Sequence, residues 1–556
     1  MANVAVPIGH IDELGSMVMK MVKVDGHRLC VVRTSDGVFA LDQACPHEGY
    51  GLTTGELAEH PQHGAVITCA WHNWKFKVAD GSCVLGEEDV RTHSVDVAVD
   101  GTMSVTLSQP DPMAARPKLL ESLRSGLERN YVGQMSRDVV RLLRADTNPG
   151  ELMWEGVAYG APRSEFGWGH SVASLTDCLS MIDHYVDDDR ALPIVQALAG
   201  VAESERGRLV NPVADPATDL PSEPGTARTM FRAAVEAEDL DRAQAMLRAA
   251  LMNDAARSDM VPWLTDVVSD HHLSYGHGAI YVQKAFQLLD RLGWDRADTV
   301  LPYLLPTLVY GTREDKLPYM KLFHRGVEQL DLTELALAAS EPRVSWEDDG
   351  RLATALLGDD RTEAAKAVGA ALSAGAGLDG VLDSVSLAVS ERMLRYDPAG
   401  EFDFHDDFGW LDITHGLTYS NAARWHVDQA LRAGGAVTPD LVRLVLWVAF
   451  QANWTGRHEW HTAVGRRAEI DEATIELSEY GAQLQHEALL DGTTAFIVHA
   501  HAVKMSVAAT DEAIRLRSSI PLDATARFMS APKLERFVAS TVTRSIDFLS
   551  GRTLRD

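Results

Sequence analysis

The sequence predicts a multidomain chain: a small all-β domain followed by a large, all-α, repeat-like helical domain. Three observations lead there. Short β-branched runs separated by Asp-Gly turns fill the first hundred residues. A proline-rich stretch follows. Beyond it strand signals almost vanish and apolar residues recur at helical spacing. A chain of 556 residues suggests two to four domains. Its 46% hydrophobic and 24% charged residues are those of a globular protein. The expected boundaries are residues 1–108 for the β domain, 109–117 for a linker and 118–556 for the helical domain.

In the β domain, the runs Leu29 to Arg33 and Val38 to Leu41 flank Asp36-Gly37, a two-residue hairpin signal. Val95 to Val99 and Thr102 to Leu107 flank Asp100-Gly101 and alternate apolar with polar. Asp80-Gly81 marks another turn. Ser108 to Pro117 then carries three prolines and reads as a linker.

From Lys118 onward Ala, Leu, Arg and Glu dominate, as in Asp241 to Leu251. The longest break, Asn211 to Pro224, carries four prolines and reads as a surface loop. A weak internal repeat is visible. An alanine-rich helix from Glu238 to Leu251 leads on to His277-Gly278 and Tyr281; a second from Asp360 to Leu372 leads on to His415-Gly416 and Tyr419. The second copy is longer by an insertion near Tyr396 to Phe408. The competing reading is chance similarity among Ala/Leu-rich helices. A true repeat would make this domain a pseudo-symmetric array with its His-Gly turns in equivalent places.

The net charge is −29, from 51 basic and 80 acidic residues. That argues against nucleic acid or an anionic membrane as partner, since both require basic surface. No apolar run is long enough to span a bilayer, and the N-terminus lacks a basic, then apolar, leader. A cytoplasmic location is expected. Five cysteines in this length are no disulfide scaffold.

Two of those cysteines stand beside histidines. Cys45-Pro-His47 is followed after 21 residues by Cys69-Ala-Trp-His72. Two thiolates can hold one iron of a 2Fe–2S cluster while two neutral imidazoles hold the other, which raises its potential over an all-cysteine cluster. The rival for these four residues is a zinc site, but zinc spacings usually pair the cysteines first and the histidines second. The stretch from about residue 3 to 107 resembles the Rieske family, through Cys-Pro-His-Glu-Gly at 45–49 and Cys-Ala-Trp-His-Asn-Trp-Lys-Phe at 69–76. It is similar to the ferredoxin and oxygenase type, without the extra loop cysteines of the respiratory type. Asn73 and Trp74 stand where that type has Gly-Ser, which implies a lower potential. The resemblance implies Cys45, His47, Cys69 and His72 as cluster ligands. The gap is longer than the family's usual one because of Ala58 to His63; a lengthened surface loop carrying His60 and His63 is expected. Cys30, Cys83 and Cys178 read as buried thiols.

A cluster moves single electrons, so the helical domain should hold an acceptor or dock a partner. It has 14 histidines. Four share a setting of small neighbours at or within a helix: His170, His277, His415 and His501. His272 adds a spacing to His277 like that of ring-hydroxylating oxygenases, but Ser269 occupies the acid's place. These five are the candidate ligands of a second metal, expected to be iron. The pairs His405-Asp406 and His458/His461 are weaker candidates. A ferritin-like centre is not supported, because no Glu-x-x-His pair occurs here. Each histidine taken alone is more often a hydrogen-bonded core residue than a ligand. The His-Gly texture faintly resembles the questin-oxidase-like proteins, all-α oxygenases of aromatic polyketides.

The expected function is therefore a Rieske-type oxidoreductase. Electrons from an external donor, a reductase or ferredoxin, would pass through the cluster to a non-haem iron for O2-dependent oxidation of a small organic, even aromatic, substrate. No nucleic-acid or membrane partner is expected, and a homo-oligomer is compatible with this reading. The alternative is an electron carrier or redox sensor tethered to a helical protein-binding scaffold, with no second metal.

Overall fold

The computed structural model describes residues 5–108, 112–253, 255, 257–403, 408–456, 467–468 and 476–552. Contacts divide the chain into two units, Met1–Leu123 with Tyr131–Asp146, and Arg124–Asn130 with Thr147–Asp556.

The first unit holds ten strands: β1 (Val6–His10), β2 (Val18–Val24), β3 (His27–Thr34), β4 (Gly37–Asp42), β5 (Glu56–His60), β6 (Gly64–Thr68), β7 (Lys75–Lys77), β8 (Cys83–Leu85), β9 (Thr92–Val97) and β10 (Thr102–Thr106). They form a barrel-like pair of antiparallel sheets, ordered β1-β10-β9-β4-β3-β2 and β5-β6-β7-β8. The expected hairpins form at Asp36-Gly37 and Asp100-Gly101, and Asp80-Gly81 turns β7 into β8. Strand β3 explains why two cores exist. Its side chains alternate between faces: Leu29 and Val31 enter a core with Leu14 and Met103, while Cys30 and Val32 enter one with Ile67 and Phe76.

Helix α1 (Pro112–Arg129) begins six residues before the expected start at 118, so 112–117 are helical where a linker was expected. Pro112 is tolerated at the first helical position, where its missing N–H would have no intrahelical partner, and Pro117 lies inside the helix. The remainder of the expected linker, 109–111, lies outside the described residues. Helix α2 (Val132–Arg144) belongs to the first unit, so that unit reaches past the β domain's expected boundary at 108.

The second unit is helical. It comprises α3 (Pro149–Gly160), α4 (His170–Met181), α5 (Ala191–Ser204), α6 (Pro224–Glu236), α7 (Leu240–Met252), α8 (Arg257–Asp270), α9 (His277–Leu292), α10 (Ala297–Tyr310), α11 (Lys321–Val327), α12 (Leu332–Ser340) and α13 (Arg351–Leu357). After these come α14 (Arg361–Ser373), α15 (Leu378–Arg395), α16 (Trp410–Arg432), α17 (Pro439–Trp454), α18 (Leu477–Ala488), α19 (Phe496–Leu516), α20 (Ile520–Ser530) and α21 (Val538–Leu549). Asn211 to Glu223 is irregular, as its prolines predict.

The two similar stretches fold alike. Helices α7, α8 and α9 are matched by α14, α15 and α16: alanine-rich helix, second helix, histidine-bearing helix. Asp239 and Asp360 cap the alanine-rich helices, Asp239 accepting from the N–H of Arg242 and Asp360 from those of Thr362 and Glu363. Matched residues of α9 and α16 also meet. His277 faces His415, and the Gln283 amide donates to Asn421 Oδ1 at 2.9 Å, both pairs being 138 residues apart. Meeting of like with like is what an internal two-fold relation produces. Helix α16 is buried on all sides, by Trp410, Ile413, Leu417, Ala422 and Val427 among others.

Candidate metal centres

The first site is built from two loops. One, between β4 and β5, carries Cys45 and His47; the other, between β6 and β7, carries Cys69 and His72. Each loop closes on its own backbone. Gly49 N–H donates to Cys45 O at 2.8 Å, Cys45 N–H to Tyr50 O at 2.8 Å, and Cys69 N–H to Trp74 O at 2.7 Å. Turns this tight need left-handed backbone, found at Gly49 (φ +77°) and Asn73 (φ +62°).

The cysteines point inward and the histidines line the rim. Cys45 and Cys69 are buried in the core of Ile67 and Phe76. The rings of His47 and His72 stand 4.4 Å apart, edge to face. His47 stacks on Trp74 at 4.8 Å, and the exposed Trp71 stacks on Tyr50 at 4.8 Å. Burial pushes the Cys45 thiol up to about 12, so a thiolate there requires a bound cation. Two buried sulfurs and two rim imidazoles are the donor set a Rieske cluster uses. Cys30 and Cys83 pack in the same core, while Cys178 lies buried in the helical unit. Burial raises all three thiols. His60 and His63 stack at 4.6 Å in the turn of the lengthened β5–β6 hairpin.

Helix α2 adds what the motif did not announce. Arg137 Nη1 donates to the His47 carbonyl at 2.9 Å, and its Nε to Glu88 Oε2 at 3.0 Å. The Tyr131 ring lies 5.9 Å from that of His47.

The second site lies wholly in the helical unit. His170 opens α4, His277 opens α9, His415 lies in the second turn of α16 and His501 in that of α19. Their Nε2 atoms converge: His170 to His277 at 3.2 Å, His277 to His415 at 2.8 Å, His415 to His501 at 3.3 Å. Ring centroids around this circuit stand 4.8, 4.5 and 4.8 Å apart, with 4.7 Å closing it from His501 to His170. The four rings therefore form a square.

Hydrogen bonds fix which nitrogen faces inward. His501 Nδ1 donates to Ile497 O at 2.8 Å, and His415 Nδ1 donates to Leu411 O. Both carbonyls lie one helical turn back. Protons held there leave the Nε2 lone pairs facing one another, an arrangement that a cation at the centre satisfies. Nitrogens about 3 Å apart could reach one ion at metal–nitrogen bonds of about 2.1 Å. Burial lowers all four imidazoles, His415 to about 3, and the ammonium of Lys504 lowers them further. The site therefore resists protons as well.

Aromatic side chains brace the square. Tyr281 stacks on His277 at 5.1 Å, with its hydroxyl 3.3 Å from His170 Nδ1, and Tyr275 stacks on His415 at 5.6 Å. Ahead of His277, Ser274, Tyr275 and Gly276 all take positive φ (43°, 59° and 87°). A Cβ on Gly276 would lie 2.4 Å from the Tyr419 ring.

The fifth candidate, His272, does not join them, which corrects the sequence reading. It is buried with Nε2 2.9 Å from Glu314 Oε2 and 3.2 Å from Gln451 Oε1. The left-handed turn separates it from His277 and sends the two rings different ways. Asp412 is a capping residue, accepting from Gly409 N–H at 2.9 Å. His426 is a core histidine held by Thr265 and Ala279. His405, Asp406, His458 and His461 lie outside the described residues.

Sequence reasoning missed the charges beneath the square. Asp177 follows His170 by seven residues on α4, and Lys284 follows His277 by seven on α9. Lys284 Nζ donates to Asp177 Oδ1 at 2.6 Å, and both are buried. Charged residues two turns below small-flanked histidines were the available signal.

A model of the Rieske [2Fe-2S] domain matches residues 4–96. Over 67 residues the chain is 33% identical to the cholesterol 7-desaturase nvd of Hemicentrotus pulcherrimus, covering 12% of this chain and 13% of that protein. Over 102 residues it is 28% identical to the ferredoxin component of the alkene monooxygenase system of Xanthobacter autotrophicus, covering 18% of this chain and 80% of that protein. Among solved structures, the ferredoxin of carbazole 1,9a-dioxygenase from Nocardioides aromaticivorans is 27% identical; the match covers 19% of this chain and 99% of that one, with a TM-score of 0.17. The chain spans only 13% and 15% of the length of the two desaturases it matches. Among the described residues no helix is long and apolar enough to cross a membrane.

Proposed function

We propose, on the premise that residues 4–96 are a Rieske [2Fe-2S] domain, that this chain is an oxidoreductase with two iron centres. Cys45, His47, Cys69 and His72 hold the cluster. His170, His277, His415 and His501 hold a single non-haem iron. The cluster supplies electrons one at a time and the iron activates dioxygen, for oxidation of a small organic molecule. An external reductase or ferredoxin provides the electrons. Five cysteines joined by no disulfide suit a reducing cytoplasm.

One observation carries this reading: four imidazoles from four different helices bring their Nε2 atoms to neighbouring distances of 3.2, 2.8 and 3.3 Å, with ligand atoms of His170, His415 and His501 all within 4.8 Å of one another. The residues' own work can be stated. His415 and His501 keep their Nδ1 protons on backbone carbonyls and so present lone pairs inward. Tyr281 and Tyr275 hold the orientation of neighbouring rings. Burial keeps bulk water away.

Iron and acid-labile sulfide analysis of the purified chain tests the reading. The expected content is three irons and two sulfides per chain, two irons belonging to the cluster. His277→Ala and His415→Ala should each fall to two irons while the cluster's visible and EPR spectra stay unchanged. Two irons in the wild-type chain would support the tethered-carrier alternative. Three irons retained in both variants would remove these histidines from the ligand set.

A further inference from the structure

We infer that the histidine square takes a small anion on its Lys504 side, so that the site's substrate or co-substrate enters with a negatively charged donor atom. The inference rests on the iron reading above and adds the charge class of the ligand.

Lys504 lies on α19, three residues after His501. Helical side chains lean toward the N-terminus, which carries its stem back toward the square. The residue is 1% exposed, and its Nζ has no hydrogen-bond partner among the described residues. All four imidazoles feel its charge. A buried ammonium without a partner is costly unless something compensates it. Burial accordingly pushes Lys504 down to about 7, against a partial opposing pull from Asp177.

The surroundings do not supply that compensation. Asp177 is already bonded to Lys284 at 2.6 Å. Its other oxygen, Oδ2, is buried without a hydrogen-bond partner. Lys504 thus has no carboxylate oxygen within hydrogen-bond reach. The Asp511 carboxyl is raised by burial, acts on Lys284 and is hydrogen-bonded to Asn421; it does not reach Lys504 Nζ. The Glu512 carboxylate is occupied by Arg424 at 2.9 Å and Ser386 at 2.7 Å. The four imidazoles add no negative charge, so a bound dication would keep its full charge. A cation held by the imidazoles and the Lys504 ammonium, which no carboxylate hydrogen-bonds, would together attract an anion.

Azide is the probe. The full chain, with its cluster in place and its second site loaded with iron, is titrated with sodium azide by calorimetry. Lys504→Gln should bind azide about tenfold more weakly at unchanged iron content. Asp177→Asn removes the competing carboxylate and should bind azide severalfold more tightly, a gain that lost packing cannot produce. Unchanged azide affinity in Lys504→Gln with full iron overturns the inference. Should Lys504→Gln fail to fold or to load iron, Asp177→Asn decides: tighter azide supports the inference, and equal or weaker azide overturns it. A wild-type chain that takes up no second iron overturns the iron reading itself, and this inference with it. A loaded chain indifferent to Lys504 overturns only this inference.

Discussion

Arg137 reaches the cluster loop from helix α2, outside the matched residues 4–96. Its guanidinium is held by Glu88 and donates to the carbonyl of His47. A fixed positive charge beside a ligand favours the reduced, more negative cluster. Arg137→Gln should lower the midpoint potential, by on the order of 60 mV if the one-electron equilibrium shifts tenfold. Arg137→Lys should recover part of it, because the charge returns without the fixed fork. A redox titration followed by EPR reads both. Gly276 is the corresponding single residue at the square. Gly276→Ala would strain a φ of +87° and press into Tyr419, costing about 2–3 kcal/mol in chemical denaturation of the helical unit. Its iron content should fall with it, because the turn aims His277.

At the scale of elements, β4 and β9 pair over only two residues on each strand, so side chains complete the joint. Asp42 on β4 receives Arg91 at 2.9 Å and lies 3.0 Å from His93 Nε2. Burial alone would raise the Asp42 carboxyl; the bonds from His93 and Arg91 outweigh it and hold the group below the usual carboxylate range. A depressed carboxyl stabilises the fold above its unfolded pKa and loses that contribution as pH falls through the folded value. Asp42→Asn should therefore cost the β unit about 1–2 kcal/mol at neutral pH, allowing for a half-exposed Arg91. The difference from wild type should shrink below about pH 4 and vanish in stronger acid. Chemical denaturation at stepped pH measures it. These hairpins were legible in advance because Asp-Gly turns and period-two runs are local signals. The start of α1 was not, because Pro112 and Pro117 read as linker, while Pro112 is accepted at the first helical position and Pro117 lies inside the helix.

At the scale of the whole molecule, one histidine square ties together helices far apart in sequence: α4, α9, α16 and α19. An ion bound there binds the folded helical unit and not the unfolded chain. At a free concentration 100 to 1,000 times its dissociation constant it should add roughly 3–4 kcal/mol. Selective removal of the second iron by a chelator, with the cluster spectrum retained, should lower the thermal transition followed at 222 nm. An unchanged transition would mean that the square forms without help from a metal. The division of the chain into a β part and a helical part, and the Cys-x-His and Cys-x-x-His loops, could be read from sequence alone, because each is written within a short stretch. The small neighbours of His170, His277, His415 and His501 marked those four residues by the same local logic. Their meeting was decided only by the tertiary structure, because convergence of four helices is a property of packing over hundreds of residues. The exclusion of His272, the reach of Arg137 and the solitary charge of Lys504 were decided there too: each depends on what stands opposite a side chain, and a linear pattern holds no record of that.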